Sequence, residues 1–389
     1  MELEPSLNVL AFNCGSSSLR FQLTRVTDDG AQNQTCLERG HVERITDYGR
    51  AVQTLIDSLR KRGLVADDGE LAVGHRIVHG GAHFVDPVRI DARVLAAIAE
   101  LEELVPLHNG PALRAIEAAR AAFSPRVPAV AVFDTCFHKD LPACAAEFPL
   151  PAELARKHGI RRAGFHGLAH RWMSERHAAL TSADGRGTAK IVTLQLGHGC
   201  SVAAIANGRS IDVSMGFSPL EGLMMGTRSG DVDPALVAYL ARHEKISAEQ
   251  VTALLNEHSG LLGVSGRSAD MRDLIAAERD GDAQSALAVE MFVQRVRKSI
   301  AAHIAVLGGA RAIVFGGGMG ENSAEIRRRI CSGFEWCGLV LDRERNERAA
   351  GEVRISAEGA TLECWVIPVD EECLITRDTF ACLRITGPS

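Results

Sequence analysis

Two short turns of small residues, at positions 15–18 and 197–201, are the first features of this sequence that could carry chemistry. Without bulky side chains, consecutive backbone N–H groups can approach phosphate oxygens, and serine hydroxyls add further donors. Most such turns merely connect strands, but a third glycine-rich segment, residues 316–322, strengthens the case. None of the three matches the Walker A pattern, which argues against a P-loop nucleotidase.

Two arginines lie beside glycines and could bind anions. Arg76 precedes Gly80 and Gly81, and Arg228 lies between Gly226 and Gly230. The fixed fork of a guanidinium suits bidentate binding of carboxylate or phosphate. A surface position or a structural ion pair would explain either arginine equally well, so the residues alone leave both interpretations open.

Three carboxylates could serve a metal ion. Asp134 directly follows the apolar run 129–133, and α/β folds place their ligands at the carboxyl ends of such strands. Mg²⁺ prefers few carboxylates and several waters. Glu371 and Glu372 precede an apolar periodic segment. They could complement a helix dipole or supply a second carboxylate near the metal, and both hypotheses stay open.

The spacing of the histidines does not indicate a metal site. His75, His79 and His83 are spaced four apart, but β-branched residues and two glycines between them oppose a helix, which favours structural roles. His166 and His170 share this spacing without the glutamate of a zinc peptidase motif. Glycines on both sides place His166 in a tight turn, as a candidate donor or cation.

The elements around these residues predict an α/β architecture. Strands at 8–12 and 19–23 flank the first turn, and strands at 191–196 and 202–205 flank the second, which suggests an internal duplication. Asn207-Gly208 predicts a hairpin into a further strand. A helix over 289–304 and a strand over 312–315 lead into the glycine-rich loop 316–322, an arrangement typical of a nucleotide-binding edge. Segment 134–151 is the expected domain boundary.

Length, charge and cysteine content restrict the class of protein that this sequence can encode. The 389 residues suffice for two domains, and a net charge of −6 without a basic block gives no indication of a nucleic-acid partner. We expect no signal peptide and no membrane span. Ten cysteines without C-x-x-C spacing are typical of reduced thiols in the cytosol, so the expected location is cytoplasmic.

Taken together, the motifs resemble the acetate kinase family over nearly the whole chain. The matching segments are 13–19, 74–81, 106–109, 132–135, 164–167, 214–231, 259–265, 270–273, 318–322 and 371–372. The resemblance implies two duplicated ribonuclease H-like domains of the sugar kinase, Hsp70 and actin superfamily around a central cleft. The implied domains are 1–136 joined by 372–389, and a nucleotide-binding domain, 137–371. It also implies a homodimer that uses ATP and Mg²⁺, with Mn²⁺ as an alternative metal, on a small carboxylate.

The resemblance also implies roles for individual residues. Arg76 and Arg228 would hold the carboxylate and the phosphoryl group, His166 would stabilise the transition state, and Asp134 would help place the acid and Mg²⁺. Asn13 and Glu371 would serve the metal. The implied acyl pocket is Val78, Leu107 and Pro219. The implied nucleotide set is Ser16, Ser18, Arg20, Gln195, Gly197, His198, Gly199, Asp270, Met271, Arg272, Gly317, Gly318, Met319, Gly320 and Asn322. A carboxylate is already ionised at neutral pH, so direct in-line attack on the γ-phosphorus needs no general base.

The chain departs from the family pattern mainly on the phosphate side. Arg20 stands where the first motif usually has Lys, and Gln195 and His198 replace the usual His and Asn of His-Leu-Gly-Asn-Gly. Leu168-Ala169 replaces Thr-Ser, and Asp370 replaces an Asn before the paired glutamates. We therefore expect retained activity with weaker nucleotide affinity or slower turnover.

Three alternatives remain beside an acetate kinase. A propionate or butyrate kinase would differ by pocket size, where one methylene changes binding by about 1–3 kcal/mol. A weakened nucleotide-binding regulatory protein is motivated by Gln195 and His198. A sugar kinase would need a polar pocket, whereas Val78, Leu107 and Pro219 are apolar, so it ranks last.

Overall fold

The computed structural model describes residues 6–15, 18–27, 34–66, 70–103, 106–182 and 190–386, and within these ranges the side chains of 103, 106–108 and 385–386 lie outside the description. The chain divides into two compact units. The first comprises Met1–Cys136 with Asp370–Ser389, and the second comprises Phe137–Val369. Within the described ranges, no helix combines the length and apolarity needed to cross a membrane.

The first unit is built on a six-stranded mixed sheet. Its strands are β1 Ser6–Cys14, β2 Ser18–Thr27, β3 Gln34–Glu43, β4 Leu71–Ile77, β5 Val88–Arg89 and β6 Ala129–Phe133. The spatial order is β3-β2-β1-β4-β6-β5, with antiparallel β1–β2 and parallel β1–β4 and β4–β6 pairs. The predicted strand-turn-strand at the start of the chain is confirmed, because Asn13 pairs with Arg20 and Cys14 with Leu19.

Helices cover both faces of this sheet. They are α1 Tyr48–Lys61, α2 Ala92–Glu100, α3 Pro106–Ala122 and α15 Glu371–Thr386, with a 3₁₀ turn at Leu101–Glu103. The Asp47 side chain caps α1 by accepting from the Arg50 N–H, and the helix buries Val52, Ile56 and Leu59 at helical spacing. The last helix, α15, packs on β1 and β4, where Thr379 and Ile375 lie so close to Gly74 that no side chain fits there.

The second unit repeats the same plan. Its strands are β7 Ile191–Leu196, β8 Cys200–Ala206, β9 Arg209–Val213, β10 Ala312–Gly316, β11 Val353–Arg354 and β12 Glu363–Val366, and a 3₁₀ turn, Asp134–His138, precedes them in the chain. The spatial order β9-β8-β7-β10-β12-β11 matches the first sheet strand for strand. The antiparallel β7–β8 pair and the parallel β7–β10–β12 pairs match as well. The α/β fold with an internal duplication is therefore confirmed.

The helices of the second unit are more numerous. They are α4 Ala143–Ala146, α5 Ala152–His158, α6 Gly167–Thr181, α7 Ala235–His243, α8 Ala248–Glu257, α9 Gly260–Ser265, α10 Met271–Arg279, α11 Ala283–Leu307, α12 Gly317–Asn322, α13 Ala324–Cys331 and α14 Arg343–Glu347, with a 3₁₀ turn at Glu335–Cys337. The predicted helix before β10 is confirmed as α11, which ends at left-handed Gly308. Asn207 and Gly208, with φ of 53° and 75°, form the predicted hairpin turn between β8 and β9.

One local prediction was wrong. Residues 316–322 were expected to form a loop, but α12 begins at Gly317, immediately after β10. The Glu321 carboxylate accepts from the Gly317 N–H at 2.8 Å, and the Asn322 amide donates to the Gly318 carbonyl at 2.8 Å. Both side chains bind backbone groups of the first two residues, and so they stabilise a short helix that glycines alone would not favour.

Candidate active site

In the first unit, Arg76 lies at the centre of a buried polar group. It is in β4, and its side chain is only 10% exposed. Its Nη2 donates to Asp134 Oδ2 at 2.5 Å and its Nη1 to Asn13 Oδ1 at 3.0 Å, while Nε lies 3.9 Å from Glu371 Oε2. Asp134 follows β6 at its carboxyl end, as expected, and is fully buried. Three strand ends and the start of α15 thus converge on one guanidinium.

Asn13 connects this arginine to the paired glutamates. Its Nδ2 donates to Glu371 Oε2 and to Glu372 Oε1, each at 2.7 Å. Both glutamates begin α15, so they lie at a helix start and also beside the polar group, and the two hypotheses for them are compatible. Burial, and next the Glu371 charge, raise the pKa of Glu372, whereas the bond from Asn13 lowers it.

The electrostatics of this group are dominated by its carboxylates. Burial alone would lower the pKa of Arg76, but Asp134, then Glu371 and Glu372, raise it above its usual value. Arg76 therefore faces three carboxyl groups. The charges of Arg20 and Arg39 also act on Glu372. Among the residues that the structure describes, no cluster of three or more His, Cys, Asp or Glu side chains could hold a metal. Mg²⁺ would not need such a cluster, because it usually takes one or two protein carboxylates and keeps several waters.

The first small-residue turn is described in part. Ser16 lies outside the described residues, and Ser18 opens β2 with its carbonyl accepting from the Gly15 N–H at 2.8 Å. The Tyr48 hydroxyl donates to the Gly15 carbonyl at 2.6 Å and so anchors the turn to α1. Arg20 is exposed on β2, where it pairs with Asn13 of β1, and its charge lowers the pKa of Glu372.

In the second unit, the side chains of His166 and Arg228 both lie next to Gly199. His166 has a left-handed backbone with φ of 56°, immediately before α6 begins at Gly167. A Cβ atom at Gly199 would lie 3.4 Å from His166 Nε2 and 3.4 Å from Arg228 Nη1. The Nδ1 edge of the same ring contacts the Ser201 hydroxyl at 2.8 Å. The opposite edge of His166 and the arginine fork therefore border the same small space beside the second turn.

Two neutral groups contact the Arg228 guanidinium. Its Nη1 donates to the Pro219 carbonyl at 3.1 Å and contacts Met225 Sδ at 3.5 Å. Burial lowers its pKa, although the Cys200 thiol opposes the shift. Burial also lowers the pKa of His198, and the nearby Arg228 charge lowers it further, whereas Asp270 raises it. A desolvated guanidinium among carbonyl and thioether groups has much to gain from an anion.

The second turn and α12 pack directly together. Gly317 has φ of 75°, and a Cβ there would lie within 2.9 Å of the backbone N, C and O atoms of Leu196. Gly197 N–H closes the turn on the Gly199 carbonyl at 3.0 Å. Only glycine permits this contact, which packs the start of α12 against Leu196, between the predicted nucleotide residues Gln195 and Gly197. The predicted residues Gly317, Gly318, Met319, Gly320 and Asn322 all lie in this short helix. The Oε1 atom of Gln195 is buried without a hydrogen-bond partner in the described part of the chain.

The remaining predicted residues are more scattered. Asp270 caps α10, and its carboxylate binds the exposed Arg272 at 2.5 Å, while Met271 between them is buried. Val78 is buried in the first unit and Pro219 in the second, and the Leu107 side chain lies outside the description. The acyl pocket therefore stays a prediction.

Sequence reasoning missed two arginines that organise the second unit. Arg162 donates to Glu221 Oε1 at 2.8 Å and to the Val213 carbonyl at 3.1 Å, which holds the segment containing Pro219. Arg327, fully buried, donates to the Gly320 carbonyl at 2.9 Å. Each lies next to at least one other arginine, so no signal in the sequence distinguished it from its neighbours.

Comparisons with known proteins agree with this arrangement. The Acetokinase family model matches residues 8–377. The chain is 42% identical to an acetate kinase of Chloroherpeton thalassium, covering 97% of this chain and 99% of that protein. It is similar to crystal structures of a Porphyromonas gingivalis acetate kinase (36% identity, TM-score 0.83, 97% and 99% covered) and a Francisella tularensis propionate kinase (34%, 0.85, 97% and 100%). The match over almost the full length, together with the duplicated sheets, shows that this chain belongs to the acetokinase family.

Proposed function

We propose that this protein is an acetate kinase, which transfers the γ-phosphoryl group of ATP reversibly to acetate and gives acetyl phosphate and ADP. The observation that carries the proposal is the pair of His166 Nε2 and Arg228 Nη1, each 3.4 Å from the position of a Gly199 Cβ. Two nitrogen groups beside a glycine turn offer hydrogen bonds to the oxygens of a transferring phosphoryl group. We also propose that Arg76 binds anionic oxygen of the reactants and that the second unit binds the nucleotide.

The reaction needs positioning more than proton transfer. A carboxylate oxygen of acetate attacks the γ-phosphorus in line, the new O–P bond forms, and the bond from phosphorus to the β–γ bridging oxygen breaks. The electron pair leaves with ADP. Acetate is ionised at neutral pH, so this chain needs to orient it and to balance charge that spreads over the phosphoryl oxygens.

We propose Mg²⁺ as the metal, with Mn²⁺ as an alternative, held on the Asn13 and Glu371 side. The three carboxyl groups beside Arg76 support this role, because Mg²⁺ prefers oxygen ligands and takes one or two protein carboxylates. The bound metal would neutralise phosphate charge. Asp134 would hold Arg76 in place and so orient the acid.

A propionate kinase is the second candidate, because the Francisella tularensis relative of that name has a TM-score of 0.85. The acyl pocket predicted from Val78, Leu107 and Pro219 would decide between the acids by its size. The family resemblance further supports a homodimer that works in the cytoplasm, which light scattering of the purified protein and localisation in cells would test.

The test is acyl phosphate formation from ATP–Mg²⁺, trapped with hydroxylamine, with acetate, propionate and butyrate in parallel. Arg228→Ala should abolish turnover. The matched control is Arg343→Ala, which removes an arginine whose side chain is 86% exposed and, within the described residues, forms an ion pair only with Glu347 on its own helix. It should keep native rates.

The ranking of the three acids would identify the substrate. Measurable ATP binding without turnover on any acid would overturn the kinase proposal in favour of a nucleotide-binding regulatory protein. In that case Gln195 and His198 would be the first residues to restore to the usual family types.

A further inference from the structure

A chain of three hydrogen bonds runs through the interior of the second unit to His166. Thr193 on β7, His170 on α6 and Ser201 on β8 are all fully buried. Thr193 Oγ1 lies 2.7 Å from His170 Nδ1, His170 Nε2 lies 2.8 Å from Ser201 Oγ, and Ser201 Oγ lies 2.8 Å from His166 Nδ1. We call Thr193, His170 and Ser201 the relay. The family resemblance assigns no role to any of the three.

The far end of the relay determines its proton order. In the described part of the chain, His170 Nδ1 is the one hydrogen-bond partner of the Thr193 hydroxyl. A hydroxyl proton buried without an acceptor is costly, so Thr193 must donate and His170 Nδ1 must accept. The single proton of the imidazole then lies on Nε2, which donates to Ser201 Oγ. Ser201 in turn donates to His166 Nδ1.

The reversed direction of these hydrogen bonds would leave the Thr193 hydroxyl proton without an acceptor. If His170 carried its proton on Nδ1, or carried two protons, the Thr193 hydroxyl would have to accept and its own proton would have no acceptor. Burial also lowers the pKa of His170 well below its ordinary value, with smaller contributions from His138, His166 and His303, which agrees with a neutral ring.

We propose that the relay fixes His166 as the neutral tautomer with its proton on Nε2, so that this ring presents an N–H donor beside Arg228. Thr193, His170 and Ser201 are thus positioning residues, which act on the reaction through His166. The sequence had left His166 open as either a donor or a cation. The consequence for catalysis rests on the proposed function, whereas the tautomer itself does not.

An imidazole fixed in this tautomer can donate a hydrogen bond from Nε2 to a phosphoryl oxygen without transferring a proton. Because Nδ1 of His166 accepts from Ser201, the imidazole ring cannot flip without losing that hydrogen bond. A neutral donor beside a permanently charged guanidinium also avoids placing two cations in one partly desolvated space.

The test compares Thr193→Val with Thr193→Ser. Valine keeps the shape of threonine and removes the hydroxyl, whereas serine keeps the hydroxyl and loses a methyl group. The matched control is Thr376→Val, since Thr376 is equally buried and its hydroxyl has no hydrogen-bond partner in the described residues. Long-range ¹H–¹⁵N spectra of histidine-labelled full-length protein report the tautomer, with His166 assigned from a His166→Asn sample.

We expect an Nε2-protonated His166 in the native protein, Thr193→Ser and Thr376→Val. Thr193→Val should show a mixture of tautomers and about a tenfold lower kcat for acyl phosphate formation, with a nearly native KM for the acid. A native His166 protonated on Nδ1 or on both nitrogens would overturn the proposal. So would an unchanged tautomer in Thr193→Val, or a loss in Thr193→Ser as large as that in Thr193→Val, which packing alone would explain. If the expected tautomers appear and no acid is phosphorylated, the relay stands and the proposed function fails.

Discussion

Gly199→Ala should remove activity while leaving the fold intact. The new methyl group would lie 3.4 Å from His166 Nε2, His166 Cε1 and Arg228 Nη1, at the close end of ordinary van der Waals contact. Gly199 is not among the positive-φ glycines, so alanine fits its backbone. The methyl would, however, occupy the space from which both groups would reach a phosphoryl oxygen.

The expected magnitudes separate the two effects. Losing one preorganised donor to a transition-state oxygen costs about 10²–10³ in kcat, and the methyl group blocks the approach to two such groups. A glycine-to-alanine change in a compatible conformation instead stabilises the folded state by about 0.4–1 kcal/mol, through the unfolded chain. We therefore expect kcat to fall at least about 100-fold with an unchanged or slightly higher denaturation midpoint.

Hydroxylamine-trapped acyl phosphate and urea denaturation would be measured on the same preparations. Gly49→Ala is the matched control, because its new methyl would also lie 3.4 Å from its nearest neighbour, Asp47 Oδ1, on α1. That variant should keep native turnover. Native kcat in Gly199→Ala would refute the phosphoryl site beside His166 and Arg228. A much lower midpoint would instead refute the claim that the space tolerates a methyl group.

Three further predictions concern stability. Arg76→Met should lower the unfolding free energy by about 3–5 kcal/mol in urea titrations, because it leaves fully buried Asp134 without that cation, and adding Asp134→Asn should recover part of the loss. Burial lowers the pKa of His75 to about 3, and neither ring nitrogen has a partner in the described residues. The native state therefore binds fewer protons than the unfolded state between about pH 6.5 and 3, so its stability falls as the pH drops through that window. His75→Leu should reduce the slope of unfolding free energy against pH by up to about 1.4 kcal/mol per pH unit. The raised pKa of Glu372 has the opposite sign: its charge destabilises the native state at pH 7, so Glu372→Gln should raise the unfolding free energy there, and the gain should vanish below the ordinary value of 4.5. The check is the difference in denaturation midpoint between each of these two variants and the native protein, measured at several pH values. A difference that does not change with pH would contradict both pH predictions.

Much of the local structure followed from residue types alone. The hairpin at Asn207-Gly208, the helix before β10 and the strand that precedes Asp134 all depend on interactions between residues close in sequence, so periodicity and turn chemistry sufficed. The glycine segment 316–322 was the exception. Its helical form depends on Glu321 and Asn322, whose side-chain bonds to the backbone outweigh the poor helix propensity of the three glycines in α12.

The sequence by itself determined the family, the duplicated architecture and the residue types of the candidate site, because long motifs in a constant order carry that information. Only the tertiary structure decided which of these residues lie together. Ser201 lies 35 residues from His166, and Thr193 contacts His170 from a strand 23 residues away. Such contacts form when strands and helices pack, since the hydrogen bonds of buried side chains depend on directions in space that no sequence spacing specifies. The proton order that reaches His166 is therefore a property of the folded core.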